Sequence, residues 1–222
     1  MSTDGQLPTP AKLRGGLRFA AVMGALLCSF IGALAGGEAM TLMMGPPSAA
    51  ELGDVEKQLS GSWMTPEGLK ALEVAREIQL GTLQNMRGSR TFILSALSLV
   101  CAMGFVSSLR LLRPAGLPRE GARRTLVFAC VVSAVLRTMD GAQQTVVVQR
   151  SAPPVLEAFQ VSWEKTQPLE SVEPVRRLVR LLVLAYPVGL TVFVAGSFAL
   201  LGQVFRSERV RKRIEELDAR EV

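Results

Sequence analysis

The 222-residue chain contains no histidine, and this absence removes many common catalytic and metal sites. Haem ligation by histidine, most zinc and copper sites, and Ser-His or Cys-His catalysis all need an imidazole ring. The chain also has no glycine-rich phosphate loop, no GxSxG motif and no paired CxxC motif. The sequence therefore predicts a protein that is not an enzyme and that carries no cofactor and no metal.

Cysteine is scarce as well. The only three, Cys28, Cys101 and Cys130, all fall inside apolar runs. No pair lies in a segment exposed to an oxidising compartment, so a structural disulfide framework is not expected. We interpret the three as small packing residues.

Long uncharged runs dominate the rest of the chain. Phe19–Gly37, Thr91–Leu109 and Leu181–Phe205 each contain 19 or more residues without a charge, and Thr125–Gln149 is interrupted only by one arginine and one aspartate. Runs of this length match a hydrocarbon core about 30 Å thick. The sequence predicts an all-α integral membrane protein, a four-transmembrane-helix bundle with a small helical extracytoplasmic cap.

The segments between these runs complete the predicted organisation. Thr65 is predicted to cap a helix that starts at Pro66 and breaks around residues 86–90 before the second span. The predicted segments are a flexible cytoplasmic N-terminus (1–16), spans at 17–44, 91–112, 125–149 and 177–205, an extracytoplasmic loop with an amphipathic helix (45–90), a basic cytoplasmic link (113–124), a second extracytoplasmic loop (150–176), and a basic cytoplasmic tail (206–222) that continues the last helix.

Basic residues are distributed unevenly between the two sides of this topology. The N-terminus, the link and the tail hold 14 of the 25 basic residues and 7 acidic ones, whereas the other side is neutral. Basic loops stay in the cytoplasm, so both termini are predicted there, facing anionic lipid headgroups rather than nucleic acid. Arginine outnumbers lysine 20 to 5, which suggests a GC-rich bacterial genome and hence the bacterial inner (plasma) membrane.

The first span also has the basic start of a signal peptide. Its apolar run is longer than the roughly 7–15 residues of a signal core, and it continues past Glu38. We therefore expect a retained span rather than a cleaved signal.

A polar stripe runs along the third span. On a helical wheel its members fall within an arc of about 80°, so they should face a helix or water rather than lipid. They are Cys130, Ser133, Arg137, Asp140 and Gln144.

Glu38, near the outer end of the first span, is the predicted third member of a charged cluster. Arg137 and Asp140 are spaced to pair within one helix, and Arg137 is expected to reach Glu38 as well, which would leave one net negative charge. Two interpretations remain open: a clip that sets helix register, which we favour, or a proton, cation or headgroup site.

The first span carries a second stripe, of small residues at every fourth position: Ala20, Gly24, Cys28, Gly32 and Gly36. Such a stripe lets another helix approach closely, either within the chain or from a second copy. Pro187 is predicted to kink the fourth span.

We expect a non-enzymatic multi-pass membrane protein, an accessory or assembly subunit with a membrane-protein partner, or a homo-oligomer. The alternative is a small proton or cation transporter or channel that uses Glu38, Arg137 and Asp140. A weaker alternative is a lipid-binding membrane protein.

Overall fold

The computed structural model describes residues 15–45, 65–112, 118–164 and 172–219. These residues are 97% helical and include no strand. The helices are α1 (Gly15–Met44), α2 (Pro66–Leu112), α3 (Arg119–Glu164), α4 (Val172–Arg206) and α5 (Glu208–Asp218). The predictions for most of the N-terminus, the start of the first outer loop, the middle of the basic link and part of the second outer loop lie outside the described residues.

Four of the helices are long and apolar enough to cross a membrane. The most apolar 18-residue windows of α1, α2, α3 and α4 have mean hydropathies of 2.1, 2.1, 1.5 and 2.0. The lower value for α3 follows from the charges inside that helix. The all-helical class and the four candidate spans are confirmed, while the extracytoplasmic cap stays a prediction.

The start of α2 agrees with the sequence, but its course does not. Thr65 Oγ1 accepts a hydrogen bond from Gly68 N at 3.2 Å, and Pro66 is the first helical residue. The predicted break around residues 86–90 is wrong, because α2 runs through it for 47 residues without interruption. A glycine inside a helix costs only about 1 kcal/mol, and the arginines on both sides of Gly88 are held by α1, as described below.

Helix α3 extends beyond the predicted end of its span. The sequence places residues 150–176 in an outer loop that contains a short helix at 155–165, whereas residues 150–164 all belong to α3, with Pro153 and Pro154 inside it. Each proline removes a backbone donor and strains the helix. The helix is held through them by packing, since Val147, Ala152 and Ala158 are buried.

The C-terminal tail does not continue α4, contrary to expectation. Ser207 has extended backbone angles, φ −59° and ψ 139°, and separates α4 from α5. The Asp218 carboxylate accepts hydrogen bonds from Arg119 N at 3.0 Å and Glu120 N at 3.1 Å. These amides lie at the positive N-terminal end of α3 and have no partner within that helix. This contact, which no spacing rule indicates, explains why the tail folds back.

Two ion pairs lie along α5. Arg211 pairs with Glu215 at 3.2 Å, at the i,i+4 spacing that supports a helix. Arg213 pairs with Glu216 at 2.9 Å.

The chain divides into two compact units, and each contains a part of every long helix. The first comprises residues up to Gly36, Ser95–Leu136 and residues from Val194; the second comprises Gly37–Leu94 and Arg137–Phe193. In the first unit the largest fully buried side chains are Phe198 and Phe205.

In the second unit α3 and α4 approach closely at Gly141. A Cβ atom added there would lie 2.7 Å from Thr191 Cβ, so only glycine fits without movement. Thr191 Oγ1 donates to the carbonyl of Pro187 at 2.7 Å, inside an unbroken α4. The kink at Pro187 stays a prediction.

Candidate functional site: a balanced charge cluster

Four charged residues meet in the second unit, and we call them the charge cluster. Glu38 lies near the end of α1, Arg90 lies within α2, and Arg137 and Asp140 lie one turn apart on α3. Three helices thus supply two cations and two anions. Only Arg90 was not foreseen, because the sequence places it at the end of an outer loop.

Arg90 bridges the two carboxylates. Its Nη2 lies 2.5 Å and its Nε 3.1 Å from Glu38 Oε1, and Nη2 also lies 3.6 Å from Asp140 Oδ1. Arg137 Nη1 donates to Asp140 Oδ2, the other carboxylate oxygen. Each oxygen of Asp140 therefore faces a different guanidinium.

The cluster is more buried towards Asp140 than towards Glu38. The side chain of Asp140 is 0% exposed, Arg90 4%, Arg137 12% and Glu38 40%. Buried charges cost several kcal/mol each unless an opposite charge and hydrogen bonds compensate them. Three of the four charges therefore depend on one another, and only Glu38 has substantial access to its surroundings.

The predicted link between Arg137 and Glu38 is wrong. Arg90 occupies that role, because it projects from a helix that the sequence analysis had broken at this point. With Arg90 included, the cluster has two positive and two negative charges and is formally neutral, not negative by one as expected. A usable signal was the i,i+3 spacing of Arg87 and Arg90, which places both on one face of an unbroken α2.

Arg87 reinforces the same junction. Its Nε donates to Leu42 O at 2.7 Å and its Nη2 to Met43 O at 2.9 Å. These carbonyls belong to the last turn of α1, where backbone acceptors have no partner within the helix and a cation is favourable. Gly45 follows with φ 110°, the left-handed conformation that commonly ends a helix.

The rest of the polar stripe on α3 does not join the cluster. Ser133 is fully buried in the first unit, with its Oγ 3.6 Å from Cys101 Sγ, and Cys130 is also buried there. Gln144 is half-buried in the second unit. Cys130, Ser133 and Asp140 are thus buried, the other two members of the stripe are half-buried, and only the two charged residues belong to the cluster.

The small-residue stripe of α1 packs against α2 in the first unit. Added Cβ atoms at Gly32 and Gly36 would lie 2.9 Å from Cys101 Cβ and 2.9 Å from Ser98 Oγ, respectively. Ser98 Oγ also donates to Gly32 O at 3.0 Å.

The same packing continues along the stripe. Cys28 is 1% exposed, and Ala20 is half-buried at its end. An added Cβ at Gly24 would lie 3.0 Å from Ser108 Oγ. Of the two partners left open by the sequence, the structure supplies the one within the same chain.

Other site chemistry is limited in the part of the chain that the structure describes. It contains no group of three or more potential metal-ligating side chains, and its three cysteines are free thiols. Comparison with known proteins is equally sparse: no protein family matches the chain, and neither a curated protein nor a solved structure matches it. The charge cluster is therefore interpreted from its own geometry.

Proposed function

We propose that this chain is a non-enzymatic multi-pass membrane protein whose charge cluster is a structural clip. α1, α2, α3 and α4 would each span the bilayer once, with both termini in the cytoplasm of a bacterial cell. The four apolar helices and the basic bias of one side support this topology.

The neutrality of the cluster is the observation that carries the structural interpretation. A proton or cation site needs a carboxylate whose charge is free to be compensated by the passing ion. Here Asp140 already has two guanidiniums beside it, Arg90 at 3.6 Å and Arg137 by a direct hydrogen bond. Such pairing lowers the cost of burying charge and sets helix register, which is what a clip requires.

A protein of this kind acts through association, either with another membrane protein or with a second copy of itself. The small-residue stripe is already used within the chain, so a partner would dock on another face. One such face of α1 exposes Phe19, Met23, Leu26 and Phe30, which are 67%, 44%, 60% and 64% exposed. A continuous apolar face of this size suits lipid or a second transmembrane helix.

Purification in a mild detergent tests this association. We expect a stable oligomer or a co-purifying membrane protein whose elution changes when Leu26→Ala and Phe30→Ala are combined. Leu99→Ala combined with Val106→Ala, on an exposed face of α2, is the matched control. A monomer that carries no partner in native membranes and detergent alike would contradict the proposal.

The alternative is a small transporter or channel, and one observation favours it. Asp140 Oδ1 is buried and has no hydrogen-bond donor among the described residues, since Arg90 at 3.6 Å is too distant for one. This alternative predicts proton or cation flux in proteoliposomes that Asp140→Asn abolishes while the protein still folds.

A further inference from the structure

A groove of about 680 Å³ opens between α3 and α4 in the first unit. Its α3 wall includes Phe128, Val131 and Val135, whose side chains are 57%, 52% and 54% exposed. Its α4 wall includes the small residues Ala199 and Gly202, followed by Gln203 and Arg206. Large residues on α3 thus face small residues on α4 across the apolar part of the groove.

At Gly202, α3 and α4 pack closely enough to close the bottom of the groove. An added Cβ at this position would lie 3.3 Å from Cys130 Cβ and 3.9 Å from Val131 Cγ2. The two helices therefore touch at the floor, as small residues in membrane helices allow. The groove is a property of the packed helices rather than of a loop.

One end of the groove is strongly basic. Arg123, Arg124 and Arg206 line it, and Glu120 pairs with the first two at 2.7 and 2.8 Å. Arg206 is exposed and makes no ion pair among the described residues. Glu120 thus pairs with two of the three guanidiniums and leaves Arg206 without an ionic partner in the described part of the chain, so this end of the groove keeps a net positive charge.

Arg124 is also accessible, although it is paired. Its side chain is 74% exposed, and its contact with Glu120 uses Nε at 2.8 Å. Arg123, in contrast, is buried and donates to both Glu120 and the Phe205 carbonyl. Arg124 and Arg206 therefore carry donors that an anion can reach, while Arg123 holds the end of the groove in place.

The apolar part of the groove has the depth of one lipid leaflet. From Arg124 to Val135 the helix rises by about 16 Å, and half of a hydrocarbon core of about 30 Å is about 15 Å. A groove with a cationic end and an apolar part of this length matches a lipid with an anionic headgroup and an extended acyl chain.

We propose that this groove binds one anionic phospholipid, with its phosphate at Arg124 and Arg206 and one acyl chain along Phe128, Val131 and Val135. Arginine binds phosphate by paired, charge-assisted hydrogen bonds, which a zwitterionic lipid satisfies less well because its own cation competes. This inference rests on the membrane insertion proposed above and concerns a site separate from the charge cluster.

Charge disfavours a second copy of the chain as the occupant. A partner related by a two-fold axis along the membrane normal would bring another basic end to the same depth. The Arg206 side chains of the two copies, neither of which has an ionic partner among the described residues of its own chain, would then lie at one interface, whereas a phosphate neutralises each of them.

Native mass spectrometry of protein released from vesicles of equal parts phosphatidylglycerol and phosphatidylcholine tests the site. We expect the wild type to retain one phosphatidylglycerol per chain. Arg124→Gln combined with Arg206→Gln should weaken that preference by roughly 30-fold, on the order of fivefold per arginine. Arg110→Gln combined with Arg209→Gln removes two exposed arginines outside the groove and should leave the preference unchanged.

A second pair of variants tests the apolar part of the groove, where the acyl chain is proposed to lie. Ala199→Phe fills the groove from an exposed position and should displace the lipid, whereas Ala102→Phe, exposed on α2, should not. Helix content and thermal unfolding, measured for every variant, verify that each one folds.

Three results would contradict the proposed lipid site. In the first, the wild type retains phosphatidylglycerol no better than phosphatidylcholine, and in the second, both double arginine variants lose that preference equally. The third result is a lipid-free dimer that Ala199→Phe dissociates. Extraction with alkaline carbonate separates this failure from failure of the proposed function. A protein that leaves the membrane contradicts the insertion and the site together, whereas one that stays but shows no lipid preference contradicts the site alone.

Discussion

Replacing Arg90 by methionine removes the cation that bridges the cluster while it keeps most of the side-chain volume. Removing one partner of a buried ion pair typically costs 3–5 kcal/mol, because the remaining charge is left uncompensated. Here Asp140 keeps Arg137, and Glu38 is 40% exposed. We therefore expect a loss near the lower limit, about 3 kcal/mol.

A change at Glu38, the second carboxylate of the cluster, tests whether its pairing with Arg90 accounts for this loss. Glu38→Gln alone should cost about 1 kcal/mol, because Glu38 is partly exposed. Combined with Arg90→Met, it removes a charge that no longer has a partner, so the double variant should be about 1–2 kcal/mol less destabilised than the sum of the singles.

Reversible unfolding in mixed micelles, followed by far-ultraviolet circular dichroism, measures these differences. Arg209→Met, at an exposed arginine of the tail, is the control and should change the stability by less than about 0.5 kcal/mol. A cost for Arg90→Met as small as that of the control, or strict additivity with Glu38→Gln, would refute the reasoning.

Three further predictions use the same assay. Gly141→Ala forces a Cβ to 2.7 Å from Thr191 Cβ and should cost about 1–3 kcal/mol, whereas Gly189→Ala, with no atom within 4 Å of its added Cβ, should cost far less. Asp218→Asn weakens the contact with the first amides of α3 and should cost about 0.5–2 kcal/mol of unfolding free energy. An unchanged midpoint of the unfolding transition would argue against packing of α5 on the start of α3. Glu120 lies outside the span predicted at 125–149, and hydrogen bonds from two arginines lower its pKa from 4.5 to about 2. Because the folded state favours the ionised carboxylate, Glu120 contributes its full stabilisation above pH 4.5 and loses it as the pH falls towards 2. The free energy of unfolding of the Glu120→Gln variant should therefore decrease less between pH 4.5 and 2 than that of the wild type.

Sequence patterns predicted the features that depend on local composition. Uncharged runs located the four long helices, and the capping preference of Thr65 with the N1 preference of Pro66 located the start of α2. The wheel position of Asp140 predicted that it faces another helix or water, and its side chain is buried beside Arg90 and Arg137. Each of these follows from a periodicity or a local rule that acts within one helix.

The features that the sequence missed depend on contacts between distant segments. Arg90 looked like a boundary charge, since its partner Glu38 is 52 residues away in the chain. The turn at Ser207 depends on Asp218 reaching the start of α3, 99 residues away, which no spacing within the tail indicates. The prolines at 153 and 154 remain inside a helix because of its packing.

Flux through proteoliposomes, measured side by side for the wild type and Asp140→Asn, tests the structural clip most directly. The clip predicts that wild-type vesicles carry no more proton or cation flux than empty ones, and that Asp140→Asn lowers the unfolding free energy. Wild-type flux that disappears in a folded Asp140→Asn protein of unchanged stability would contradict it.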